Sequence, residues 1–399
     1  MNNLKIFDIN EKCTGCGACV SACPKKCISL ERDAEGFYYP KYVESTCIGC
    51  KLCEKSCHVI SKEEYAQISK EDFFLYADID EVRTKSSSGG VFFRLASYTL
   101  SLNGVVFGSA YNPETSRLEV VNTEELNLSK IQKSKYIESY SGVSFSKVAT
   151  DLRQQKHVLF CGTPCQVRGL KHYLKTTKTD DTKLITVDFI CHGVPSSLCF
   201  DEYAKRFQSG KKKIINVDFR NKRFDRNGQR WHDMSLRFDY SDSTSVVIPY
   251  EQPYNYGYYK LFMDNVILRK CCYQCSLPAS SVADFTIADF WGINIYRPNI
   301  DDNKGLSVLK IHTRKAEVFW NRINYNAPLF ERLPFEAVEY IYKKRDKTCD
   351  LCKRDKFFSI YLQSGYKTAV CKYYGLVNLI KAYSIGLMKT RLKMILRRY

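Results

Sequence analysis

The sequence predicts an α+β protein, in which a small cysteine-rich N-terminal module precedes a larger α/β region. Two observations support this fold class. Eight cysteines recur at matched spacing within residues 13–57. Three later segments, beginning near residues 73, 158 and 184, each run from an apolar strand through a Gly-containing turn into a helix. At 399 residues, with 44% hydrophobic and 14% aromatic residues, the chain can form two or three ordered domains.

The cysteine module consists of two equal runs, each of the form Cys-x-x-Cys-x-x-Cys-x-x-x-Cys. Bacterial ferredoxins with two 4Fe–4S clusters have this pattern, and the fourth cysteine of each run binds the cluster of the other run. A disulfide framework or a zinc ribbon does not predict two equal runs of four. The predicted ligand sets are Cys13, Cys16, Cys19 and Cys57 for one cluster, and Cys47, Cys50, Cys53 and Cys23 for the other.

One position departs from this pattern. Pro24 follows the first run, but His58 stands where the second run would have its proline. The proline shapes a turn and is not a ligand, so the substitution affects local geometry more than metal binding. Cys27 is left over, either as a core thiol or as an alternative ligand.

Between the two runs, residues 28–30 and 37–42 flank the turn signal Asp33-Ala34-Glu35-Gly36, which predicts a β-hairpin. The polar segment 61–70 is predicted as helix or linker. A strand at 73–79 and the Ser/Gly-rich loop 86–90 then lead into a helix over 91–100. Such a loop either holds a phosphate at a helix N-terminus or is an ordinary serine cap with flexible glycines.

Two further strand–turn–helix units follow. The strand at 158–161 enters the turn Gly162-Thr163-Pro164, and the strand at 184–190 enters the turn at 191–196. Three units of this kind predict a mostly parallel sheet, with ligands bound at the carboxyl ends of its strands. His192 lies at such a strand end, where it could relay a proton, although a lone histidine is more often structural.

A second group of cysteines leaves two interpretations open. Cys272 and Cys275 could form a zinc site with Cys349 and Cys352, because two Cys-x-x-Cys pairs suit zinc. Alternatively, a third iron–sulfur cluster could be held by Cys191, Cys272, Cys275 and one of Cys161 or Cys165.

Composition restricts the location and the partners. The formal charge is +18, but no nucleic-acid-binding motif is present, so nucleic acid is not expected as a partner. No N-terminal signal peptide and no run of eighteen apolar residues is found. Nineteen cysteines then predict a reducing compartment, the cytoplasm.

The basic segment 373–399 is predicted as an amphipathic helix that either docks on the protein or makes peripheral contact with a membrane surface.

Taken together, the chain resembles the coenzyme F-420 hydrogenase/dehydrogenase beta-subunit family. The matching pieces, in chain order, are Ser88-Gly89-Gly90-Val91-Phe92, Ser134-Lys135-Tyr136, Phe160-Cys161-Gly162-Thr163-Pro164-Cys165-Gln166, Cys191-His192-Gly193-Val194-Pro195-Ser196 and Asp289-Phe290-Trp291-Gly292. The expected units are a ferredoxin domain (1–65), the two parts of the beta-subunit-like domain (66–150 and 151–345) and a basic helical tail (346–399).

The resemblance implies an iron–sulfur flavoenzyme. FAD would lie in the α/β region, with Ser88, Gly89 and Gly90 at its phosphates and with Lys135, Gly162, Thr163, Pro164 and His192 around the rest of the flavin or the substrate. The clusters would exchange single electrons with a carrier protein, and the flavin would exchange a hydride equivalent with a small organic substrate. Similar stand-alone chains resemble proteins of surface-polysaccharide loci. The alternative is a non-enzymatic electron-transfer subunit of a larger redox complex.

Overall fold

The computed structural model describes residues 4–61, 72–208, 212–225, 228–249, 257–276, 280–323, 327–343 and 350–375. Three predictions fall wholly or partly outside these ranges: the helix or linker at 61–70, the zinc ligand Cys349, and the basic tail beyond residue 375.

The described residues form fourteen strands and twelve α-helices. The strands are β1 (Ile28–Arg32), β2 (Tyr38–Tyr42), β3 (Phe73–Ala77), β4 (Val105–Asn112), β5 (Arg117–Thr123), β6 (Ser139–Tyr140), β7 (Val158–Cys161), β8 (Leu184–Phe189), β9 (Ile214–Asp225), β10 (Gly228–Tyr240), β11 (Ser245–Ile248), β12 (Phe285–Asp289), β13 (Ser307–Ile311) and β14 (Leu329–Leu333). The helices are α1 (Ala18–Ala22), α2 (Leu52–Lys55), α3 (Asp80–Thr84), α4 (Val91–Ser101), α5 (Ser144–Arg153), α6 (Pro164–Thr176), α7 (Ser197–Lys205), α8 (Tyr259–Met263), α9 (Ile293–Tyr296), α10 (Arg314–Ile323), α11 (Phe335–Lys343) and α12 (Leu351–Tyr374).

The N-terminal module contains α1, α2 and the hairpin β1–β2, which pairs antiparallel across the predicted turn. The predicted hairpin is therefore confirmed. α1 lies within the first cysteine run and α2 within the second. The two runs thus repeat the same local arrangement of thiols and a short helix.

The central element is a nine-stranded sheet with the order β14-β3-β13-β12-β8-β7-β4-β5-β6. Its middle strands β12, β8, β7 and β4 are parallel, but β13, β3 and β14 on one side, and β5 on the other, pair antiparallel. The prediction of a mostly parallel sheet was wrong for these outer strands. At one side, for example, β5 returns from β4 through a tight turn and not through a helical crossover, so the two strands are antiparallel. Because β3 lies between β13 and β14, segments 66–150 and 151–345 share one sheet.

Both faces of the sheet are covered by helices. Alternate residues of β4 and β7 point to opposite faces, so Phe107 and Phe160 pack with α5 and α6, whereas Val106 and Leu159 pack with α4 and α10. This two-sided burial explains why the central strands are continuous apolar runs.

A second core lies beside the carboxyl end of the sheet. It joins the three-stranded sheet β9–β11 with α7, α8 and α12, and it includes Phe37 of the N-terminal module. α12 packs through Phe357 and Phe358, and Gly365 interrupts its helical geometry with a φ of 81°. The described part of the predicted tail is therefore a docked helix. Within the part of the chain that the structure describes, no helix is both long and apolar enough to cross a membrane.

Candidate functional site: thiol cavities and the carboxyl edge of the sheet

The eight cysteines of the N-terminal module surround two separate cavities. One, of about 310 Å³, is lined by Cys23, Cys47, Cys50 and Cys53. The other, of about 330 Å³, is lined by Cys13, Cys16, Cys19 and Cys57. In each cavity the structure brings together the four thiols of one predicted ligand set, including the fourth cysteine that comes from the other run. We call the cavity lined by Cys23, Cys47, Cys50 and Cys53 the outer cavity, and the other the inner cavity.

The donors fit 4Fe–4S clusters, because four thiolates are the usual ligands of such a cluster. Burial raises the pKa of the Cys16 and Cys53 thiols to about 12. As free thiols they would be protonated at neutral pH, so cluster binding must release their protons. Cys27 also lines the outer cavity, and its Sγ lies 3.3 Å from that of Cys23.

The inner cavity lies against the α/β domain. A Cβ added at Gly169 of α6 would lie 2.7 Å from the Sγ of Cys16, so the helix approaches this thiol at a position where it has no side chain. The hydroxyl of Ser141 donates to the carbonyl of Cys16 at 2.8 Å. The helix that touches Cys16 begins at Pro164, and Cys165 lies one turn before the contact, a rise of about 6 Å.

A fully buried arginine connects the module to the domain. Arg269 donates to the carbonyl oxygens of Cys13 (2.7 Å) and Tyr38 (2.8 Å) and to the carboxylate of Glu138 (2.7 Å). Burial acts to lower the pKa of Arg269, but the Glu138 carboxylate outweighs it and the net shift is upward. The guanidinium therefore stays charged beside the inner cavity.

The hairpin turn of the module inserts into the second core. Phe37 is fully buried, and the guanidinium groups of Arg269 and Arg354 lie 5.7 and 5.8 Å from its ring centre. The carboxylate of Glu35 pairs with Arg354, whose side chain is 1% exposed. Hydroxyl donors at the start of α7 bind the turn's carbonyls. The module is thus fixed in one orientation on the domain.

The five sequence pieces behind the family resemblance meet in space. The hydroxyl of Ser87 accepts a hydrogen bond from the backbone N–H of Ser134 at 2.8 Å. Arg220 donates to the hydroxyl of Tyr136 at 3.2 Å and pairs with the carboxylate of Asp289. These contacts join the second and fifth pieces to each other, and the second piece to Ser87, which directly precedes the first piece, at the carboxyl edge of the central strands.

Electrostatic interactions connect the remaining pieces to this edge. The charge of Lys135 acts on the Cys161 thiol, whose pKa is raised to about 12 by burial. Burial also raises the pKa of Cys165, and the thiolates of Cys191, Cys275 and Cys272 raise it further. Cys165, unlike Cys161, therefore lies within electrostatic range of the three thiols of the predicted additional site.

The backbone holds this group of four thiols, the central thiols, at the strand ends. The backbone N–H of Val194 donates to the Sγ of Cys272 at 3.4 Å, which places the 268–276 segment against the turn after β8. Cys271 interacts with Arg269 and with Cys165. Arg269 thus lies near both the inner cavity, through the Cys13 carbonyl, and the segment that carries Cys272. Among the described residues, no three His, Cys, Asp or Glu side chains are arranged to hold a single metal ion.

The predicted phosphate loop is buried and internally bonded. The hydroxyl of Ser88 donates to the carbonyl of Leu306, and the N–H of Gly89 donates to the hydroxyl of Ser307 at 2.8 Å. Gly90 begins α4 beside the Asp78 carboxylate. A phosphate contact at Ser88 or Gly89 would require these bonds to be exchanged, and their role in flavin binding stays a prediction.

Donor groups are present in the neighbouring segment. Lys135 Nζ donates to the carbonyls of Gln132 (2.6 Å) and Lys133 (3.1 Å), and burial lowers its pKa to about 8. The side-chain amide nitrogen of Gln132 is buried and has no hydrogen-bond partner among the described residues. An ammonium and an orphaned amide donor within one short segment suit an acceptor-rich or anionic ligand.

The other predicted residues have structural contacts. Thr163 caps α6 in a reciprocal capping box with Gln166, and Pro164 occupies the first turn of the helix. Gly162 donates its N–H to the carbonyl of Val187 at 3.1 Å. His192 contacts the Phe262 carbonyl through Nε2 at 3.3 Å, with its ring edge-on to the Phe262 ring. Their roles in the flavin or substrate site also stay predictions.

Sequence reasoning missed Arg220, which connects the second and fifth pieces and also donates to the carbonyl of Ser87, just before the first piece. Its side chain is 1% exposed, and its guanidinium lies 5.3 Å from the ring centre of Trp291, which stacks on Trp231. The sequence of β9 carried a partial signal, because apolar Val217 and Phe219 alternate with charged residues as in a strand. That pattern predicts a charged side in contact with solvent, however, and in the structure this side is buried at Arg220.

Comparisons with known proteins match two separate parts of the chain. Residues 155–331 match the family described as the C terminus of the coenzyme F420 hydrogenase/dehydrogenase beta subunit. Residues 12–60 match a 4Fe-4S dicluster domain. An uncharacterized ferredoxin of Methanocaldococcus jannaschii is 45% identical over 54 residues, which are 14% of this chain and 69% of that ferredoxin.

A solved structure of the F420-reducing nickel–iron hydrogenase complex from Methanosarcina barkeri, derivatized with xenon, is also similar. One of its chains aligns with a TM-score of 0.48 at 16% identity, over 73% of this chain and 94% of that one.

The fold and the dicluster match define an iron–sulfur redox protein. Residues 155–331 thus form a region of the coenzyme F420 hydrogenase/dehydrogenase beta-subunit type, and a ferredoxin domain of the 4Fe–4S dicluster type precedes it.

Proposed function

We propose that this protein is an iron–sulfur flavoenzyme. Single electrons enter through two 4Fe–4S clusters, held by the thiols of the outer and inner cavities, and reach a flavin at the carboxyl edge of the sheet. The observation that carries the proposal is the sequence of contacts from Cys16, through Gly169 and α6, to Cys165 at the strand ends. Because the ferredoxin module is fixed with its inner cavity against the α/β domain, it is well placed to deliver electrons to the carboxyl edge of the sheet.

Donor groups in residues 132–136 suit a flavin at this edge, and the family resemblance implies that the flavin is FAD. Gln132 and Lys135 supply donors, and the Arg220–Asp289 pair with the stacked Trp291 supplies a rigid, partly aromatic wall. A flavin bound there would collect single electrons and exchange a hydride equivalent with a small organic substrate. With a pKa of about 8, Lys135 is mostly charged at pH 7 and loses its proton above pH 8.

The central thiols suit a third iron–sulfur cluster between the inner cavity and the flavin. Cys165, Cys191, Cys272 and Cys275 supply four thiol ligands, which is the set such a cluster needs. The zinc alternative uses Cys349, which lies outside the described residues. Iron content separates the two, because three four-iron clusters require about twelve iron atoms per chain and two require about eight.

The experiment that tests the proposed function is cofactor analysis of protein purified without oxygen. Extracted FAD near one per chain, with about twelve iron atoms and matching sulfide, is the expected result. A chain that contains iron and sulfide but no flavin would contradict the flavoenzyme proposal. Substrate turnover by the isolated chain would separate an enzyme from an electron-transfer subunit that acts only within a complex.

The proposal extends to the cellular location and to the class of substrate. The number of cysteines supports a reducing, cytoplasmic location. The likeness to stand-alone relatives of surface-polysaccharide loci makes sugar-linked compounds the first substrates to assay.

A further inference from the structure

The two cavities of the ferredoxin domain differ in their access to the surface. None of the residues that line the inner cavity is exposed. The outer cavity is lined by several exposed residues, among them Lys25, Ile48, Cys50 and Lys51, and Ile48 is 59% exposed. A carrier protein can therefore come close to the outer cavity, whereas the α/β domain covers the approach to the inner one.

The surface around the outer cavity is basic. Lys25 and Lys51 line the cavity itself, and Lys26 and Lys55 are exposed next to its cysteines. Among the described residues none of these four lysines forms an ion pair, although exposed lysines elsewhere in the chain do. Four lysines without an ion pair, against Glu44 and Glu54 nearby in the sequence, attract a negatively charged partner over about a Debye length, near 8–10 Å at physiological salt.

Apolar contact is also available at the same place. Val43 is 57% exposed and precedes the second cysteine run, and Ile48 lies within that run. A small apolar centre with a charged rim is the usual composition of a transient protein interface. The basic rim sets the encounter rate and the orientation, while the apolar centre supplies contact area.

We infer that Lys25, Lys26, Lys51, Lys55, Val43 and Ile48 form the docking surface for an acidic one-electron carrier protein, which exchanges electrons at the outer cavity. This inference rests on the proposed electron-relay function. The step is one electron passing from the reduced carrier to the cluster held by Cys23, Cys47, Cys50 and Cys53. The carrier is oxidised by one electron and the cluster is reduced by one, without bond formation or proton transfer.

The test uses the full chain and a small, acidic, two-cluster bacterial ferredoxin, chemically reduced, as the probe. The rate constant for electron uptake is measured by stopped flow over a range of salt concentrations for wild type and for the double variant Lys25→Glu/Lys51→Glu. The matched control is Lys130→Glu/Lys178→Glu, which changes the net charge equally at two exposed lysines far along the chain. Carbodiimide cross-linking of each protein to the probe supplies a second, non-kinetic readout.

We expect the wild-type rate to fall steeply with salt. Lys25→Glu/Lys51→Glu should be at least about tenfold slower at low salt, with little salt dependence and with the corresponding cross-links lost. The control should stay within about twofold of wild type. Equal slowing of both double variants, no slowing of either, or failure of the probe to reduce wild type whose clusters a chemical reductant does reduce would each overturn the inference. Clusters that no reductant can reduce would instead contradict the electron-relay function.

Discussion

At the scale of single residues, the candidate site is held together by buried charges whose partners lie far away in the sequence. Arg220 and Asp289 are separated by 69 positions, yet they form a pair in which the arginine is 1% exposed and the aspartate 14%. Removing one member of such a pair leaves the other buried without compensation, which is far more costly than losing a surface pair. Arg220 is therefore expected to matter for both stability and flavin retention.

Arg220→Ala should lower the free energy of unfolding by about 3–5 kcal/mol, measured by urea denaturation without oxygen. The control Arg314→Ala removes an exposed pair with Glu317 and should cost less than about 1 kcal/mol. The double variant Arg220→Met/Asp289→Leu should recover much of the stability but not the flavin, because its apolar side chains fill the space without the polar wall. Equal losses for Arg220→Ala and Arg314→Ala would contradict this assignment.

A half-buried histidine should contribute to the pH dependence of stability. His312 contacts the Thr286 hydroxyl at 2.7 Å, and burial lowers its pKa to about 4, from 6.5. Between these values the unfolded chain binds a proton that the folded chain does not bind. The contribution is therefore present above pH 6.5 and is lost as the pH falls to 4, up to about 3 kcal/mol.

His312→Gln keeps a hydrogen-bonding group but cannot titrate. Between pH 6.5 and 4 this variant should lose less stability than wild type, by up to about 3 kcal/mol, when both are followed by urea unfolding. Parallel stability curves for the two proteins over this pH range would contradict the half-buried, neutral state of His312.

At the scale of elements, the hairpin turn of the ferredoxin domain fixes that domain in place. Gly36 has a φ of 91°, and a Cβ at this position would lie 2.6 Å from the backbone nitrogen of Leu198 at the start of α7. The adjacent serines donate to the carbonyls of the turn: Ser196 Oγ to Glu35 O at 2.5 Å, and Ser197 Oγ to Gly36 O at 2.6 Å. The turn therefore has space for glycine only.

Gly36→Ala should displace the hairpin from α7 and leave the cluster ligands in place. The expected result is iron content equal to that of wild type, with flavin reduction by the ferredoxin probe slowed at least about tenfold. Gly365→Ala is the matched control, since that glycine also has a positive φ of 81° but nothing within 4 Å of the added Cβ. If flavin reduction in Gly36→Ala keeps its wild-type rate, the docked orientation is not what delivers electrons.

Much of the local structure could be predicted from the sequence. The cysteine spacing predicted which thiols share a cavity. Apolar strands followed by Gly-containing turns predicted β7 and β8 nearly at their observed bounds, each followed by a helix. The reason is that spacing and capping are local properties, as in the Thr163 capping box. The antiparallel edge strands, the Arg269 connection and the Arg220–Asp289 pair depend on contacts between distant segments, and no local pattern specifies those partners.

At the scale of the whole molecule, the ferredoxin domain packs on the α/β domain, and together they carry three groups of thiols. The outer cavity meets solvent, the inner cavity meets α6, and Cys165 of the central thiols lies in the first turn of that helix. The order of these sites predicts the order of electron transfer. Cys165 is within electrostatic range of Cys191, Cys272 and Cys275, whereas Cys161 is within electrostatic range of Lys135.

The most direct test is stopped-flow reduction, without oxygen, of wild type, Cys165→Ala and the control Cys161→Ala by the reduced ferredoxin probe. In wild type and Cys161→Ala, we expect bleaching of the clusters followed by bleaching of the flavin. In Cys165→Ala, the clusters of the ferredoxin domain should be reduced at the wild-type rate, while flavin bleaching slows at least about tenfold. Flavin bleaching at the wild-type rate in Cys165→Ala would contradict the claim that electrons reach the flavin through the central thiols.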